Sequence, residues 1–328
     1  MRIGRSLVAT VRAAMGAVLC LIAAGTAIAQ PYPSKPIRIV LPFAGGGALD
    51  IIARAVAKSF TETLGQPVFV ESKPGGNSVI GTLAVAQAAP DGYTLLIQAT
   101  AFLVVPTMMQ TPTYDPLRDF TPVSNLSTVS QVLVVPPSSA AKSTAELIAL
   151  AKARPGTLNY GSGGAGTSAH MAAELLLRQA GVQLAHIPYK GNAPALLDLL
   201  GGRLQMMFDN VPSVLPHIAA GRLRALGVTS GKRSPLLPDV PAIAESLIGY
   251  EASIFQGLFA PANTPPDIVA RLHAAAVQFA GDAGNRERFA QQGTNLESSQ
   301  SPSQFVAQIA ADSDKWVTIV KQGGIKAE

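Results

Sequence analysis

Two glycine-rich turns in the sequence could bind an anion through backbone groups. The first, residues 42–47, separates a β-branched run at 37–41 from a helical pattern that begins at Ala48. The second, residues 161–166, is followed by Thr167 at the start of another helical pattern. Glycine lets the backbone approach a bound group closely, and the first N–H groups of a helix carry partial positive charge. We therefore expect a ligand that presents a carboxylate or a similar anionic group.

The glycine turns also admit two other interpretations. A turn that only joins a strand to a helix has the same composition, so short glycine motifs carry a risk of false positives. Residues 161–166 formally fit the G-x-G-x-x-G pattern of a dinucleotide site. The strand before them is short and polar, however, and His186 stands where an acidic ribose ligand belongs. We interpret this segment as a second helix N-terminus with free N–H donors.

Asp50 lies in the first turn of the helix that follows the first glycine turn. A carboxylate at this position more often accepts hydrogen bonds from backbone N–H groups than it contacts a ligand. If it faced the ligand instead, it would favour an amine or a hydroxyl group. Both roles stay open, and the structural one is favoured.

Side chains near the second turn also suggest a hydrolase as an alternative. Ser162 or Thr167, with His170 and Asp209, would supply the nucleophile, base and carboxylate of a triad. No G-x-S-x-G motif supports this, and His170, three residues after Thr167, is better placed to orient the glycine turn. No His-x-x-x-His motif or acidic cluster predicts a metal site, and no cofactor is expected. The sequence favours binding over catalysis.

Composition limits the class of protein further. The chain has 328 residues, 48% hydrophobic and 14% charged, which is enough to bury a large core in two domains. The net charge is +5, and it falls to +2 if the three arginines of the leader described below are removed. Without a clustered basic stretch, this small charge argues against nucleic acid as a partner.

The N-terminus has the pattern of a secretory signal peptide over residues 1–29. Three arginines precede an apolar run at 13–27, and Ala27-Ile28-Ala29 provides a small-x-small cleavage site before Gln30. A membrane anchor is the alternative, but the run is short for spanning a bilayer. The single cysteine, Cys20, lies inside this segment, so the mature chain should have neither a disulfide nor a thiol nucleophile.

Strands and helices alternate along the rest of the chain, which predicts an α/β fold with parallel sheets. The spacing predicts β-α-β-α-β from 37 to 97, a looser segment with four prolines from 100 to 122, and further strand–helix units after 131. A strand at 131–135 leads into a second domain, and a strand at 254–259 leads back. We therefore expect a discontinuous first domain, 30–130 plus 254–328, and an inserted second domain, 131–253.

Short motifs throughout the mature chain resemble the Bug family, the periplasmic substrate-binding proteins of tripartite tricarboxylate transporters. They occur in order with plausible spacing: Tyr32-Pro33, Lys35-Pro36-Ile37-Arg38, Pro42-Phe43 with Gly45-Gly46 and Asp50, Leu64-Gly65-Gln66-Pro67, Pro90-Asp91-Gly92-Tyr93-Thr94-Leu95, Tyr114-Asp115-Pro116, Asp119-Phe120, Gly161-Ser162, His170, Pro188-Tyr189-Lys190-Gly191, Leu237-Pro238-Asp239-Val240-Pro241 and Gly324-Ile325-Lys326. Agreement over essentially the whole mature chain is more specific than any single motif.

This resemblance implies a two-domain periplasmic-binding-protein fold of type II, a Venus flytrap that closes on a ligand in its cleft. It implies a carboxylate held by backbone amides, small hydroxyl groups and waters. Carried over by position, the family pattern assigns ligand contacts to Phe43, Ala44, Gly46 and Asp50 on one wall and to Ser162, Gly166, Thr167, His170 and Tyr189 on the other. Thr100 and Asp209, each located after a strand, are further candidates by location.

The resemblance also implies a periplasmic receptor, expected as a monomer, that delivers a small organic acid to membrane transporter subunits. Presentation of the closed form to a sensor is an overlapping alternative. Many relatives have Pro-Gly-Gly and then a hydroxyl residue before the aspartate, whereas this chain has residues 44–49 without one. The identity of the acid, and whether Lys190 contacts it, are left open by the sequence.

Overall fold

The chain alternates strands and helices from β1 to α10. A computed structural model describes residues 32–189 and 191–325. The elements are β1 (Ile37–Leu41), α1 (Ala48–Leu64), β2 (Val68–Ser72), α2 (Val79–Ala86), β3 (Thr94–Ala99), α3 (Ala101–Met108), β4 (Phe120–Val129), β5 (Gln131–Val135), α4 (Thr144–Ala153), β6 (Asn159–Ser162), α5 (Ser168–Ala180), β7 (Ala185–Pro188), α6 (Asn192–Leu200), β8 (Met206–Asn210), α7 (Val211–Ala219), β9 (Arg224–Val228), a 3₁₀ turn (Ile243–Glu245), β10 (Ile254–Pro261), α8 (Pro266–Gly281), α9 (Ala283–Ala290), β11 (Thr294–Leu296) and α10 (Pro302–Gly323).

Two of the predictions fall on residues outside this description. The signal peptide, residues 1–29, and its cleavage site lie outside the described residues, and so does Lys190. Of the N-terminal unit that ends at Ser34, the structure describes residues 32–34, with a cis peptide bond between Tyr32 and Pro33. In the described part of the chain, no helix is both long and apolar enough to cross a membrane.

The strands form two sheets. The first has six strands in the order β11-β4-β10-β3-β1-β2, and the second has five in the order β7-β6-β8-β5-β9. The prediction of parallel strands is confirmed for β1 with β2 and β3, and for β6 with β7 and β8. The strands next to the crossings are antiparallel: β10 pairs with β3 and β4, and β5 pairs with β8 and β9.

The chain passes between the sheets twice, and the two crossings are hydrogen-bonded to each other. It leaves the first sheet at Val129 and enters the second at Gln131, and it returns to the first at Ile254. The Thr229 N–H donates to the Gln131 carbonyl oxygen (2.8 Å), and the Ala252 N–H donates to the Thr229 carbonyl oxygen (3.0 Å). These bonds join the two connecting segments side by side.

The segment that the sequence predicts to be irregular, 100–122, contains helix α3 and the start of β4. Pro106 lies inside α3, and three of its side chains, Phe102, Leu103 and Val104, are fully buried. Phe102 packs against the aromatic rings of Tyr114, Phe120 and Phe259. Burial of these apolar side chains stabilises a helix that propensity alone does not predict, because proline normally disrupts a helix interior. The helical spacing of Phe305, Ile309 and Trp316 predicts a helix near the C-terminus, and α10 confirms it.

Candidate functional site

A cavity of about 490 Å³ lies between elements of the two sheets. One side is formed by residues around the N-terminus of α2 together with side chains of α3, and the other by the turn before α5 and the residue after β7. The lining residues are Gly76, Asn77, Val79, Val105 and Met109 on the first side, and Gly163, Gly164, Ala165, Thr167 and Tyr189 on the second. Two helix N-termini therefore border one space, and their positive ends favour an anion there.

A larger surface cavity of about 790 Å³ lies elsewhere, beside α4 and α5. It is lined by Lys152 and Arg178, in the last turns of these two helices, and by Gly181 just beyond α5. The C-terminal end of a helix carries partial negative charge, which disfavours an anion. The cavity between the α2 and α5 N-termini is the better candidate.

The α2 side of the cavity has an unusual backbone. Gly75, Gly76, Asn77 and Ser78 all have positive φ, with values of 124°, 55°, 55° and 73°. Ser78 occupies the N-cap position of α2, but no side chain caps this helix. Its hydroxyl instead accepts a hydrogen bond from Nε2 of the buried Gln98 (3.1 Å). The N-terminus of α2 is thus left uncapped by side chains at the edge of the cavity.

The α5 side is held by hydrogen bonds within the glycine turn. Thr167 Oγ1 donates to the Gly164 carbonyl oxygen (2.8 Å), and the Gly166 N–H donates to His170 Nδ1 (3.0 Å). Gly166 has φ of 74°, and a Cβ there would overlap the sulfur of Met108 in α3. The positive φ therefore favours glycine at position 166, whereas the end of the flexible Met108 side chain can shift.

Backbone N–H groups on both sides of the cavity make no internal hydrogen bond among the described residues. Among the described residues, the hydrogen bonds of the turns include none donated by the N–H of Asn77 or of Ala165. Both residues line the cavity. Asn77 is exposed and Ala165 is half-buried, so these N–H groups are open to solvent, and a carboxylate oxygen in the cavity can accept from them in place of water. This pair of unused donors is the clearest chemical feature of the site.

Ser162 and two histidines lie directly behind the turn. Ser162 Oγ hydrogen-bonds with His186 Nε2 (2.7 Å) and accepts from the Gly164 N–H (3.2 Å). Burial, together with the neighbouring His186, lowers the pKa of His170 to about 3. A neutral His170 matches its role as acceptor for Gly166, in agreement with the interpretation that it orients the turn.

Asp209 is buried and reaches the turn through Asn192. Its Oδ1 accepts from Asn192 Nδ2 (2.7 Å) and from the Asn210 N–H (2.8 Å). Burial raises the pKa of Asp209 above its ordinary value. Asn192 in turn packs on the turn, since a Cβ at Gly163 would lie 2.6 Å from its Oδ1. The structure therefore makes Asp209 a support of the glycine turn.

Tyr189 lines the cavity, but its polar groups are bonded elsewhere. Its hydroxyl donates to Asp198 Oδ2 (2.7 Å), and its backbone N–H donates to the Ser162 carbonyl oxygen (3.0 Å). The hydrogen bond to Asp198 raises the pKa of Tyr189. Its aromatic ring is what remains for a ligand.

The first glycine turn is organised around Asp50. Asp50 Oδ2 accepts from the Gly46 N–H (2.9 Å), and its carboxylate forms an ion pair with Arg54 Nε (2.9 Å). The hydrogen bond from Arg54 lowers the pKa of Asp50. Phe43 is partly buried and Ala44 is exposed. Within the described residues, the cavity lining contains none of these positions, so their ligand contacts stay predictions.

Thr100 lies at the N-cap position of α3, the helix that contributes Val105 to the cavity. It is 3% exposed, and its Oγ1 has no hydrogen-bond partner among the described residues. Of the eleven predicted site residues, Thr167 and Tyr189 thus line the cavity, while Ser162, Gly166, His170 and Asp209 support its second side.

Comparison with known proteins agrees with this architecture. The family model described as "Tripartite tricarboxylate transporter family receptor" matches residues 52–325. The chain belongs to this family of receptors. BugT of Bordetella pertussis is 38% identical over 320 residues, covering 94% of this chain and 97% of BugT. The Bug-family resemblance and the two-domain periplasmic-binding-protein fold are therefore confirmed.

Two solved structures are similar and were determined with acids. Rpa4515 of R. palustris, solved with adipate, has 34% identity and a TM-score of 0.75, covering 90% of this chain and 99% of that one. MatC of Rhodopseudomonas palustris, with bound malate, has 29% identity and a TM-score of 0.72, covering 88% and 100%. Both resemble the Bug-family receptor described here over nearly their full length.

The triad considered from the sequence, Ser162 or Thr167 with His170 and Asp209, is not formed among the described residues. Ser162 is bonded to His186, His170 to the Gly166 N–H, and Asp209 to Asn192. Nor do the described residues contain a group of three or more His, Cys, Asp or Glu placed to hold a metal ion.

Gly76 and Asn77, on the α2 side of the receptor cavity, are not among the site residues predicted from the sequence. Residues 73–77, Lys-Pro-Gly-Gly-Asn, follow strand β2 and precede an apolar helix, which is the same strand–glycine–helix pattern that drew attention to the other two turns. Applying that criterion evenly would have found Gly76 and Asn77. Val105 and Met109 were missed because the prolines around α3 concealed a helix.

Proposed function

We propose that this protein is a periplasmic receptor that binds a small organic acid and delivers it to tripartite tricarboxylate-type membrane subunits. The observation that carries the proposal is the pair of unused N–H donors, on Asn77 and Ala165, at two helix N-termini that border one cavity. Each helix end offers a carboxylate a favourable term of about 0.3–1 kcal/mol at exposed sites, and more when buried. Such a site holds an anion without a buried arginine.

The acids in the similar structures support this chemistry. Adipate and malate were found with two receptors of related sequence, and both molecules carry carboxylates. The family description as a transporter receptor supports delivery to a membrane partner. Export with removal of residues 1–29, action as a monomer and the absence of catalysis complete the proposal.

The two sheets are proposed to act as two lobes that close on the ligand. The first lobe would comprise 30–130 and 254–328, and the second 131–253. The bonded crossings at Gln131, Thr229 and Ala252 would act as the hinge. Closure would bring the N–H groups of both walls onto one carboxylate and exclude water, which strengthens each hydrogen bond.

Thermal unfolding of the purified protein with a panel of organic acids tests the proposal. A ligand at a hundred times its Kd should stabilise the folded state by about 2.7 kcal/mol. Ala165→Asp, which adds a negative charge in the cavity, should abolish the shift, whereas the uncharged, similarly sized Ala165→Asn should retain much of it. Recovery of the acid unchanged is expected. Conversion of the acid to a product, or equal shifts for both variants, would overturn the proposal.

A further inference from the structure

Several of the side chains that line the cavity are apolar. Val79 begins α2, Val105 and Met109 lie on and just after α3, and Ala165 faces them from the opposite turn. Val105 and Met109 are four residues apart, the spacing that puts two side chains on one helix face. Val79 and Val105 are almost fully buried. These side chains can bury an apolar group of the ligand.

The described lining residues include no charged side chain. Asn77 is neutral, and although its amide can hydrogen-bond to a hydroxyl group, it cannot neutralise a second carboxylate. A charge moved from water to an apolar surface without a partner is strongly disfavoured. A ligand with charge at both ends would therefore be matched at only one of them.

The hydroxyl groups near the cavity are already used within the protein. Thr167 Oγ1 donates to Gly164, Ser162 Oγ bonds with His186, and the Tyr189 hydroxyl donates to Asp198. The protons of these hydroxyl groups are thus not available to a ligand, although the oxygens of Thr167 and Tyr189 keep lone pairs that can accept from a ligand hydroxyl. The described lining thus offers a ligand backbone N–H donors and apolar side chains.

We propose that this receptor selects a monocarboxylate with an apolar body, an alkyl chain or an aromatic ring, over short dicarboxylates. This inference rests on the proposed function and specifies its ligand class. The cavity volume of about 490 Å³ falls in the range of roughly 300–1,000 Å³ that is common for small-molecule sites. The carboxylate contacts the donors near Asn77 and Ala165, and the body contacts Val105 and Met109.

Isothermal titration of the exported protein with hexanoate and adipate provides the matched test. These acids have the same six carbons and differ only in that adipate ends in a second carboxylate. Hexanoate is expected to bind more tightly than adipate. It should also bind more tightly than butyrate, because each additional methylene group that becomes buried raises the affinity about fourfold. Benzoate is expected to bind more tightly than malate.

Two valine variants test whether the apolar body of the ligand contacts Val105. Val105→Thr keeps the shape of the side chain but adds a hydroxyl, so it should weaken hexanoate roughly fivefold and leave butyrate nearly unchanged. Val306→Thr is the control, since Val306 lies on α10 away from the cavity and is 45% exposed. Lys190→Gln tests the lysine that follows Tyr189 in the sequence and lies outside the described residues, and it should not change the hexanoate-to-adipate ratio.

The outcomes separate this inference from the proposed function. Adipate binding as tightly as hexanoate, or a ratio that depends on Lys190, would overturn the preference for a monocarboxylate. If Ala165→Asp still abolished adipate binding in that case, the receptor function would stand. Failure of every acid to bind would instead remove the proposed function.

Discussion

The imidazole rings of His170 and His186 are stacked, with 3.9 Å between ring centroids and 10° between ring planes. Tyr160 extends the stack, 4.9 Å from His186, and its hydroxyl donates to Glu174 (2.7 Å). Burial, and then the neighbouring imidazole of His186, disfavour a proton on His170. The stack therefore links the protonation of His170 to the hydrogen bond that it accepts from the Gly166 N–H.

This stack predicts how stability depends on pH. The pKa of His170 is lowered from 6.5 to about 3 in the folded protein, so between these values the unfolded chain binds the extra proton. The stability contributed by neutral His170 is therefore complete above about pH 6.5 and falls as the pH decreases toward 3, by up to about 1.4 kcal/mol per pH unit. Urea unfolding from pH 4 to pH 8 measures this slope.

His170→Asn is the matched variant for that experiment. The asparagine Oδ1 can accept a hydrogen bond from the Gly166 N–H but does not titrate. Below pH 6.5, the unfolding free energy of the variant should therefore depend less steeply on pH, by the contribution of one titrating group. Identical slopes for the two proteins would contradict the assignment of a neutral, buried His170.

Gly163→Ala should weaken ligand binding by distorting the second turn. A Cβ at this position would lie 2.6 Å from Asn192 Oδ1 and 3.1 Å from the Asn192 backbone nitrogen. Asn192 would have to move, and with it the hydrogen bond to Asp209. We expect at least a tenfold loss of affinity for the acid, measured by titration calorimetry, with the protein still folded.

Gly47→Ala is the control for that prediction. A Cβ at Gly47 has no neighbouring atom within 4 Å, and the φ of this residue is −82°, which alanine adopts readily. Its affinity should match the parent protein. Equal affinity for the two variants would show that the Gly163–Asn192 contact does not position the site.

Gly81→Ala should destabilise α2. A Cβ there would lie 2.7 Å from the Lys73 carbonyl oxygen and 2.8 Å from the Pro42 Cα, and these backbone atoms cannot turn aside as a side chain can. A cost of about 1–3 kcal/mol in the free energy of unfolding is expected from overpacking. Gly284→Ala in α9, whose Cβ would lie 3.5 Å from Asp282 Oδ1, should instead be neutral or stabilising. If urea unfolding showed Gly284→Ala to be less stable than Gly81→Ala, the packing of α2 on the first glycine turn would be contradicted.

Local patterns predicted much of this fold because each strand–glycine–helix unit is encoded within about twenty residues. The parallel pairs β1–β2 and β6–β7, the helix α5 after its glycine turn and the C-terminal helix α10 are of this kind. Helix α3 was not predictable in this way, since burial of Phe102 and its neighbours overrides the effect of Pro106.

Which glycine turns line the cavity depends on long-range geometry. Which of several βα turns faces the second sheet is set by the strand order and by where the chain crosses, and no short motif contains that information. The sequence therefore identified the turn near Thr167 and its supports but gave no reason to prefer residues 76 and 77 over the turn at Gly46.

Asp50 provides a test of the first glycine turn itself. Its carboxylate accepts from the Gly46 N–H and pairs with Arg54, and the bond to Arg54 lowers its pKa below the ordinary value of 3.8. Stability from this carboxylate is thus fully present above about pH 4 and is lost as the pH falls through the lowered pKa. Asp50→Asn should cost about 1 kcal/mol or less at pH 7, since Arg54 is 61% exposed and solvent weakens the pair. The cost should vanish when unfolding is measured near pH 2. A large loss of acid binding in Asp50→Asn, with stability unchanged, would instead place this carboxylate at the ligand.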